Sequence, residues 1–350
     1  MAVKERRNCV NTLLDGAVRR WRKIAVISGA AISLSAALGV PAAGATTAAT
    51  KAAPVVSTAA AGPSTPVSRS ADGKVLRGVT PKSGGATSGA AEGTRGTGKV
   101  SNGQGASFTR KFPKNVKMLG GDVNAETVIG ADGRTQVTAT TTYPHRVNGK
   151  LTFTAPNGLT YGCTAWLYDN DTVATAGHCI YFHDNANNVH GWNSNFVFWP
   201  GRNGASAPYG SCGWTNAYSV NGWTASQNPE YDYGAIKLNC TIGNSTGWFG
   251  LRWQTATYDG TVANITGYPG DKPANTMWQM DGAIASSGVR QLFYSIDTFG
   301  GQSGSAVRIS GCGAYCGIAI HAYGLYGGSP YNRGTRITEA AFNNLNAWKV

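Results

Sequence analysis

The sequence lacks an apolar run long enough for a stable membrane span. The apolar stretch at residues 24–40 has 17 residues and is diluted by Ala, Gly and Ser, whereas a spanning helix needs about 20 apolar residues. Seven Lys or Arg precede it within the first 23 residues, and Ala-Gly-Ala follows it at residues 43–45. This pattern predicts a signal peptide over residues 1–45. We therefore expect a secreted protein with no membrane contact after signal removal, and the paired Arg19 and Arg20 leave the twin-arginine export route open.

The sequence also lacks a basic stripe in the part that is rich in aromatic residues. Residues 1–126 carry 18 Lys and Arg against 6 Asp and Glu, whereas residues 127–350 carry 12 against 11. The first of these segments therefore carries +12 of the formal net charge of +13. A nearly neutral domain has no electrostatic footprint for a phosphate backbone, so we expect no nucleic-acid partner.

The composition divides the remainder of the chain into two parts. From residue 46 to about residue 110, Ala, Gly, Ser, Thr and Pro dominate, which leaves too little apolar surface to offset the entropy of ordering. We interpret residues 46–126 as a disordered or loosely structured pro-segment. Aromatic residues and hydrophobic alternation begin near Val128, so residues 127–350 are predicted to form one folded domain.

Short alternating runs separated by Gly, Asn, Asp and Pro recur through residues 127–350. Many short strands joined by turns are typical of an all-β sandwich or barrel. One helical pattern stands at the end of the chain, where Thr338 can cap a helix whose apolar residues are Ala341, Leu345 and Trp348. The sequence therefore predicts an all-β domain with a C-terminal helix.

The number of cysteines indicates disulfides. The chain has seven cysteines, and Cys9 lies in the expected signal peptide. An even set of six in an exported chain predicts three disulfides, although the spacing alone permits fifteen pairings. The remaining cysteines are Cys163, Cys179, Cys212, Cys240, Cys312 and Cys316.

One pairing has a mechanical rationale. A bond between Cys163 and Cys179 would fix the segment next to His178, and a bond between Cys312 and Cys316 would close a short loop. Cys212 and Cys240 would then pair with each other. A zinc site at Cys312, Cys316 and His321 is the alternative, but a second C-x-x-C pair is missing.

Three residues form the pattern of a hydrolytic triad in chain order. His178 stands in Thr-Ala-Gly-His-Cys, Asp232 precedes Tyr-Gly-Ala-Ile, and Ser303 stands in Gly-Gly-Gln-Ser-Gly-Ser. A serine becomes a nucleophile when an imidazole takes its proton and a carboxylate orients that imidazole. The order excludes an α/β-hydrolase, because no Asp or Glu lies between Ser303 and His321.

These motifs, with several others, resemble the bacterial glutamyl endopeptidases, a branch of the chymotrypsin-like serine proteases. The resemblance implies a double six-stranded β-barrel, with His178 and Asp232 in the first barrel and Ser303 in the second. It also implies a monomer that acts on proteins or peptides and needs no metal or organic cofactor. The matching segments are residues 173–180, 231–236, 266–272, 297–305, 319–322 and 331–337.

The resemblance further implies roles around the triad. The backbone N–H groups of Gly301 and Ser303 would form the oxyanion hole. Thr298 and His321 would receive the carboxylate of a substrate Glu. The backbone of Ala322, Tyr323 and Gly324 would pair with the substrate as an added strand.

The mature chain is expected to begin at Thr127, by cleavage after Glu126. Trypsins carry an aspartate directly before the nucleophile that pairs with the new N-terminal ammonium, whereas this chain has Gln302 there. The resemblance implies that the ammonium of Thr127 lies near the specificity pocket instead. A structural calcium at Asp169 and Asp171 remains an alternative to simple turn formation.

Two other functions stay open at this point. Asp297 lies six residues before Ser303, the spacing at which a trypsin-like pocket for Lys or Arg would hold its carboxylate. A toxin-like or binding relative with restricted turnover could also use the same scaffold.

Overall fold

A computed structural model of the chain describes residues 61–80, 82–100, 111–118, 127–325 and 328–350. The expected signal peptide, Cys9 and Glu126 lie outside these ranges. Within them, no helix has both the length and the apolar character that a membrane span requires.

The described ranges contain twenty strands and three short α-helices. The strands are β1 (Pro66–Ser70), β2 (Val75–Arg77), β3 (Ser88–Ala91), β4 (Lys117–Met118), β5 (Thr135–Val137), β6 (Asn148–Thr154), β7 (Thr160–Leu167), β8 (Thr172–Thr175), β9 (Tyr181–Asp184), β10 (Val189–Trp192), β11 (Ser194–Pro200), β12 (Trp214–Val220), β13 (Gly234–Leu238), β14 (Gly250–Gln254), β15 (Val262–Gly267), β16 (Met277–Ser287), β17 (Gln291–Tyr294), β18 (Ala306–Gly311), β19 (Ala314–Tyr323) and β20 (Asn332–Arg336). The helices are α1 (Asn221–Thr224), α2 (Gly243–Thr246) and α3 (Glu339–Ala347).

The first barrel has the strand order β11-β6-β7-β8-β13-β12. An antiparallel bridge between Phe198 and Cys212 joins its two ends. Its interior contains large side chains that are fully buried, among them Leu151, Phe153 and Leu167. These apolar residues come from strands with the short alternating patterns seen in the sequence, because successive side chains of a strand point to opposite faces.

The second barrel has the strand order β18-β15-β16-β17-β20-β19, and β19 pairs again with β18. That pairing closes a ring of six strands. Its separate core includes Ile265, Ile284, Leu292 and Ile318. The prediction of an all-β, chymotrypsin-like fold is confirmed by this architecture.

The C-terminal helix forms where the sequence predicted it. The Thr338 hydroxyl accepts a hydrogen bond from the backbone N–H of Ala341 at 3.3 Å, which caps α3. Leu345 is fully buried, and Trp348 stacks on Tyr218 at a ring-centroid distance of 5.5 Å. The helix therefore packs against the first barrel by its predicted apolar face.

The described residues form three disulfides: Cys163–Cys179, Cys212–Cys240 and Cys312–Cys316. These are the pairs favoured from the sequence. With both of their sulfurs bonded to each other, Cys312 and Cys316 have no thiolate for the alternative zinc site.

The expected looseness of the pro-segment is wrong for its described residues. Strands β1 and β2 extend the first sheet beyond β12, and β3 extends the second sheet beyond β14. Strand β4 pairs with β7 in parallel. The composition gave the wrong expectation because a strand added to a sheet edge is held by backbone hydrogen bonds. Such a strand needs few apolar side chains. In β1, for example, only Val67 is buried.

Candidate active site

The pairing of two strands brings His178 and Asp232 together. His178 lies in the single 3-10 turn Gly177–Cys179 after β8, and Asp232 lies just before β13. Strands β8 and β13 are antiparallel neighbours, with Thr175 opposite Gly234. The end of one strand therefore meets the start of the other.

Asp232 holds His178 through two hydrogen bonds. His178 Nδ1 lies 2.8 Å from Asp232 Oδ2, and the backbone N–H of His178 donates to Asp232 Oδ1 at 2.7 Å. The Asp232 side chain is fully buried, whereas that of His178 is 18% exposed. A buried carboxylate on Nδ1 keeps the proton there and leaves Nε2 as the proton acceptor, as a general base requires.

Ser303 comes from the second barrel and is tied to the first. It lies in the turn between β17 and β18, and its carbonyl accepts a hydrogen bond from the N–H of Thr164 at 2.9 Å. Thr164 follows Cys163 in β7, and the Cys163–Cys179 disulfide ends next to His178. The disulfide thus connects the strand that holds the Ser303 turn with the segment that carries the imidazole.

The turn around Ser303 depends on two glycines. Gly301 has φ +104° and Gly304 has φ +87°, a region that residues with a side chain rarely adopt. A Cβ on Gly301 would lie 2.6 Å from the Tyr268 carbonyl oxygen. It would also lie 2.7 Å from Sδ of Met118, so strand β4 packs against the turn that carries the predicted oxyanion-hole residue.

His321 and Thr298 are both fully buried in the second barrel near this turn. The backbone of His321 bonds to the segment after the nucleophile: its carbonyl accepts from Gly304 N at 2.7 Å, and its N–H donates to Ser305 O at 2.9 Å. The Thr298 hydroxyl has no hydrogen-bond partner among the described residues. A buried hydroxyl without a partner is costly, and a polar group of a ligand would satisfy it.

Tyr294 is a neighbour of His321 that the sequence analysis missed. Its hydroxyl lies 2.6 Å from His321 Nδ1. Tyr294 ends β17, and β20 separates that strand from β19 in the sheet. This proximity comes from the closed barrel, so spacing along the chain carried no signal for it.

The environment of His321 predicts an acid-sensitive domain. Burial, and then the nearby His178, lowers the pKa of His321 to about 3, from an ordinary value of 6.5. The unfolded chain therefore binds a proton below about pH 6.5 that the folded chain does not bind. We expect stability to fall as the pH drops from about 6.5 towards 3, by up to about 1.4 kcal/mol per pH unit from this group.

Urea unfolding at about pH 7 and pH 5 checks this expectation. The difference in unfolding free energy between the two pH values should shrink in His321→Gln, which has no titrating imidazole. An unchanged difference would show that other groups cause the acid sensitivity.

Asp297 is engaged by the start of the predicted mature chain. Its Oδ1 accepts from the N–H of Ile129 at 2.7 Å, and its Oδ2 accepts from the N–H of Gly133 at 2.8 Å. The residue is 1% exposed. Both oxygens therefore bond to backbone donors, which disfavours Asp297 as the receptor of a substrate Lys or Arg.

Asp297→Asn is expected to loosen residues 127–133 and to lower the free energy of unfolding by about 1–3 kcal/mol. An amide presents one acceptor where the carboxylate has two, so one buried N–H loses its bond. Chemical denaturation measures the loss, with Asp259→Asn at a surface turn as the control. A stability equal to that of the wild type would contradict this role.

Asn332 forms two hydrogen bonds to Thr127, the residue at which the mature chain is expected to begin. Its Nδ2 donates to the Thr127 carbonyl at 2.6 Å, and its Oδ1 accepts from the Thr127 N–H at 3.2 Å. The N–H of Thr298 also donates to the Thr127 carbonyl, at 3.2 Å. Thr127 therefore lies beside Thr298. The sequence analysis had assigned no role to Asn332.

Arg134 connects the same N-terminal segment with the residue before the nucleophile. Its guanidinium is buried and pairs with Asp271 and Asp132 at 2.5 Å and 2.9 Å. It also donates to Gln302 Oε1 at 3.3 Å. Gln302, which cannot pair with an ammonium as an aspartate would, is held by this cation. The sequence had pointed to Asp271 only as a member of the matching segment 266–272.

The residues expected to pair with substrate lie at the end of β19. Ala322 and Gly324 are buried, and Tyr323 is partly exposed. The ring centroid of Tyr323 lies 6.2 Å from that of His178. This end of the strand is therefore next to the imidazole, as a substrate-pairing strand requires.

The described residues offer one candidate set of metal ligands. Among the described residues, one group of His, Cys, Asp and Glu has suitable spacing, namely Cys163, His178 and Cys179. Its two sulfurs form a disulfide, so this set does not fit a metal ion. Asp171, which was considered for calcium, pairs with Lys237 at 2.9 Å.

A family model and two related proteins match this chain. Residues 134–330 match the trypsin family model. The glutamyl endopeptidase of Bacillus licheniformis is 43% identical over 259 residues, which cover 73% of this chain and 77% of that protein. A Bacillus subtilis protein described as an extracellular metalloprotease is 43% identical over 256 residues, which cover 72% of this chain and 78% of that protein.

A solved structure of a Glu endopeptidase in complex with MPD is also similar. It has 31% sequence identity and a TM-score of 0.56, and the match covers 63% of this chain and 99% of that one. Together with the double barrel, these similarities show that the chain is a serine endopeptidase that belongs to the trypsin family, in the branch of the glutamyl endopeptidases.

Proposed function

We propose that this protein is a secreted endopeptidase that cleaves after Glu, and less well after Asp, through His178, Asp232 and Ser303. The observation that carries the specificity is the contrast between two adjacent residues. The carboxylate of Asp297 is bonded on both oxygens, whereas the buried hydroxyl of Thr298 has no partner among the described residues. A pocket with that hydroxyl suits a substrate carboxylate better than a substrate cation.

The hydrogen bonds between His178 and Asp232 support a mechanism with an acyl-enzyme intermediate. Ser303 Oγ attacks the scissile carbonyl carbon while His178 Nε2 takes its proton. Asp232 stabilises the imidazolium that forms, and the N–H groups of Gly301 and Ser303 bind the oxyanion. His178 then protonates the leaving amine. Water, deprotonated by the same imidazole, releases the acid product and restores the serine.

We also propose that the chain is made as a precursor with a signal peptide (residues 1–45), a pro-segment (46–126) and a mature domain (127–350). Cleavage after Glu126 would turn the Thr127 N–H, which already bonds to Asn332, into an ammonium beside Thr298. A positive charge at that position would help to hold a substrate carboxylate. The mature protein is expected to be monomeric and free of membrane contact.

Mapping of cleavage sites in a mixed peptide library tests the specificity. We expect cleavage almost entirely after Glu, with a minor share after Asp. Cleavage after Lys or Arg would identify Asp297 as the pocket base and overturn the proposal. The absence of both cleavage and organophosphate labelling would favour the binding relative, because only a competent triad reacts with that reagent.

N-terminal sequencing of the secreted protein tests the processing. We expect Thr127 as the first residue in the wild type. The Ser303→Ala precursor, expressed in a host without glutamyl endopeptidases, should stay uncut at this bond if the enzyme processes itself. A mature N-terminus elsewhere would overturn the role of Thr127, whereas normal processing of the variant would overturn self-cleavage alone.

A further inference from the structure

We propose that residues 61–100 stay bound to the protease domain as a separate chain after cleavage after Glu126. The inference rests on the proposed processing. On the protease domain, the binding surface consists of helix α3 and of the strand edges of β12 and β14. Residues 61–100 are the partner that occupies this surface.

The edge of the first sheet receives strand β1. Five residues of β1 pair with β12 in antiparallel register, from Pro66 opposite Val220 to Ser70 opposite Asn216. The pairing continues beyond both ends of β1. The Ala71 N–H donates to the Thr215 carbonyl at 2.7 Å. At the other end, two N–H groups after β12 donate to carbonyls before β1: Asn221 to Thr65 at 2.9 Å and Gly222 to Pro63 at 2.8 Å.

The edge of the second sheet receives strand β3. Its four residues pair with β14, from Ala91 opposite Leu251 to Ser88 opposite Gln254. Further along, Thr94 and Trp248 exchange backbone hydrogen bonds at 3.0 and 2.9 Å. Two more backbone bonds follow: Thr97 N donates to Asn244 O at 3.0 Å, and Gly98 N donates to Ser245 O at 2.9 Å.

Side chains of helix α3 form a third attachment. Glu339 accepts hydrogen bonds from the Gly84 N–H at 2.8 Å and from the Ser83 hydroxyl. On the buried side of the helix, Asn344 Nδ2 donates to the Ser64 carbonyl at 3.0 Å. The segment therefore bonds to both sheets and to helix α3.

None of these attachments depends on the peptide bond after Glu126. Cutting that bond leaves every hydrogen bond in place and removes only the covalent link between the segment and the domain. That link favours binding by raising the effective concentration of the segment at its surface. The backbone hydrogen bonds along both sheet edges all oppose dissociation. Departure of the segment would also expose the edges of β12 and β14 to pairing with other chains.

Native mass spectrometry of the processed wild-type enzyme tests the proposal. We expect a complex of residues 127–350 with a peptide that contains residues 61–100, and release of that peptide by urea. An N-terminus other than Thr127 would mean that the proposed processing is wrong. A correct N-terminus without bound peptide would overturn the retention, so the two failures are distinguishable.

A matched pair of glycine variants locates the surface. A Cβ on Gly93 would lie 2.6 Å from Gly250 N and 2.7 Å from Trp248 O, whereas a Cβ on Gly62 would meet no atom nearer than 3.9 Å. We expect Gly93→Ala to raise the fraction of enzyme without bound peptide by about tenfold, the equivalent of about 1.4 kcal/mol, and Gly62→Ala to leave it unchanged. Equal retention in both variants would overturn the assigned edge, and the wild-type measurement decides retention even if Gly93→Ala does not fold.

Discussion

Ser303→Ala is expected to lower kcat for peptide hydrolysis by about 10⁴–10⁶-fold, as the loss of a catalytic serine does in comparable proteases. Without the hydroxyl, His178 and Asp232 have no nucleophile to activate. The fold should persist, because alanine occupies less space than serine and the Ser303 carbonyl keeps its bond to Thr164. Hydrolysis of a Glu-containing peptide and the urea midpoint measure the two effects.

Ser305→Ala is the matched control for this prediction. Ser305 lies in the same segment and is fully buried, and its hydroxyl has no hydrogen-bond partner among the described residues. We expect its replacement to change kcat by no more than a few fold, because the assigned nucleophile is unaffected. Substantial turnover by Ser303→Ala, together with a large loss in Ser305→Ala, would identify Ser305 as the nucleophile instead.

His321→Gln is expected to lower kcat/KM for a Glu substrate by about 10–100-fold. The reason is the loss of a hydrogen bond to the buried substrate carboxylate, an interaction with a charged group that is worth about 1.5–3 kcal/mol. Acylation of Ser303 by a small unspecific reagent should change little, because that reaction does not use the pocket. The ratio of the two rates is the measurement.

His183→Gln is the control for a histidine outside the pocket. His183 Nε2 lies 3.0 Å from the Trp223 carbonyl oxygen, so the imidazole has a structural partner. We expect this replacement to leave the ratio of the two rates unchanged. Equal losses in both assays for His321→Gln would make His321 a structural residue that acts through the Gly304 and Ser305 backbone.

The strands and the C-terminal helix were predictable because their signals are local. Thr338 and the spacing of Ala341, Leu345 and Trp348 identify a capped amphipathic helix without knowledge of its neighbours. The pro-segment shows the limit of such reasoning. Its composition predicts little burial, but backbone groups at the edges of β12 and β14 bond to it whatever its side chains are.

The candidate site was partly predictable for the same reason. His178, Asp232 and Ser303 each stand in a distinctive short motif, and their order along the chain favours one known arrangement over others. The bond between His178 and Asp232 follows from the pairing of β8 with β13. Tyr294 and Asn332 had no such motif, so their contacts with His321 and Thr127 became visible only in the folded chain.

The sequence by itself determined the triad candidates, the even set of cysteines and the all-β class, because each depends on residue type and spacing. The tertiary structure determined how the two neighbours Asp297 and Thr298 differ in hydrogen bonding. Both are buried, but the backbone N–H groups of residues 129 and 133 reach the carboxylate and not the hydroxyl. Those donors are more than 160 positions away along the chain. Only the closed second barrel and the N-terminal segment packed against it bring them to Asp297.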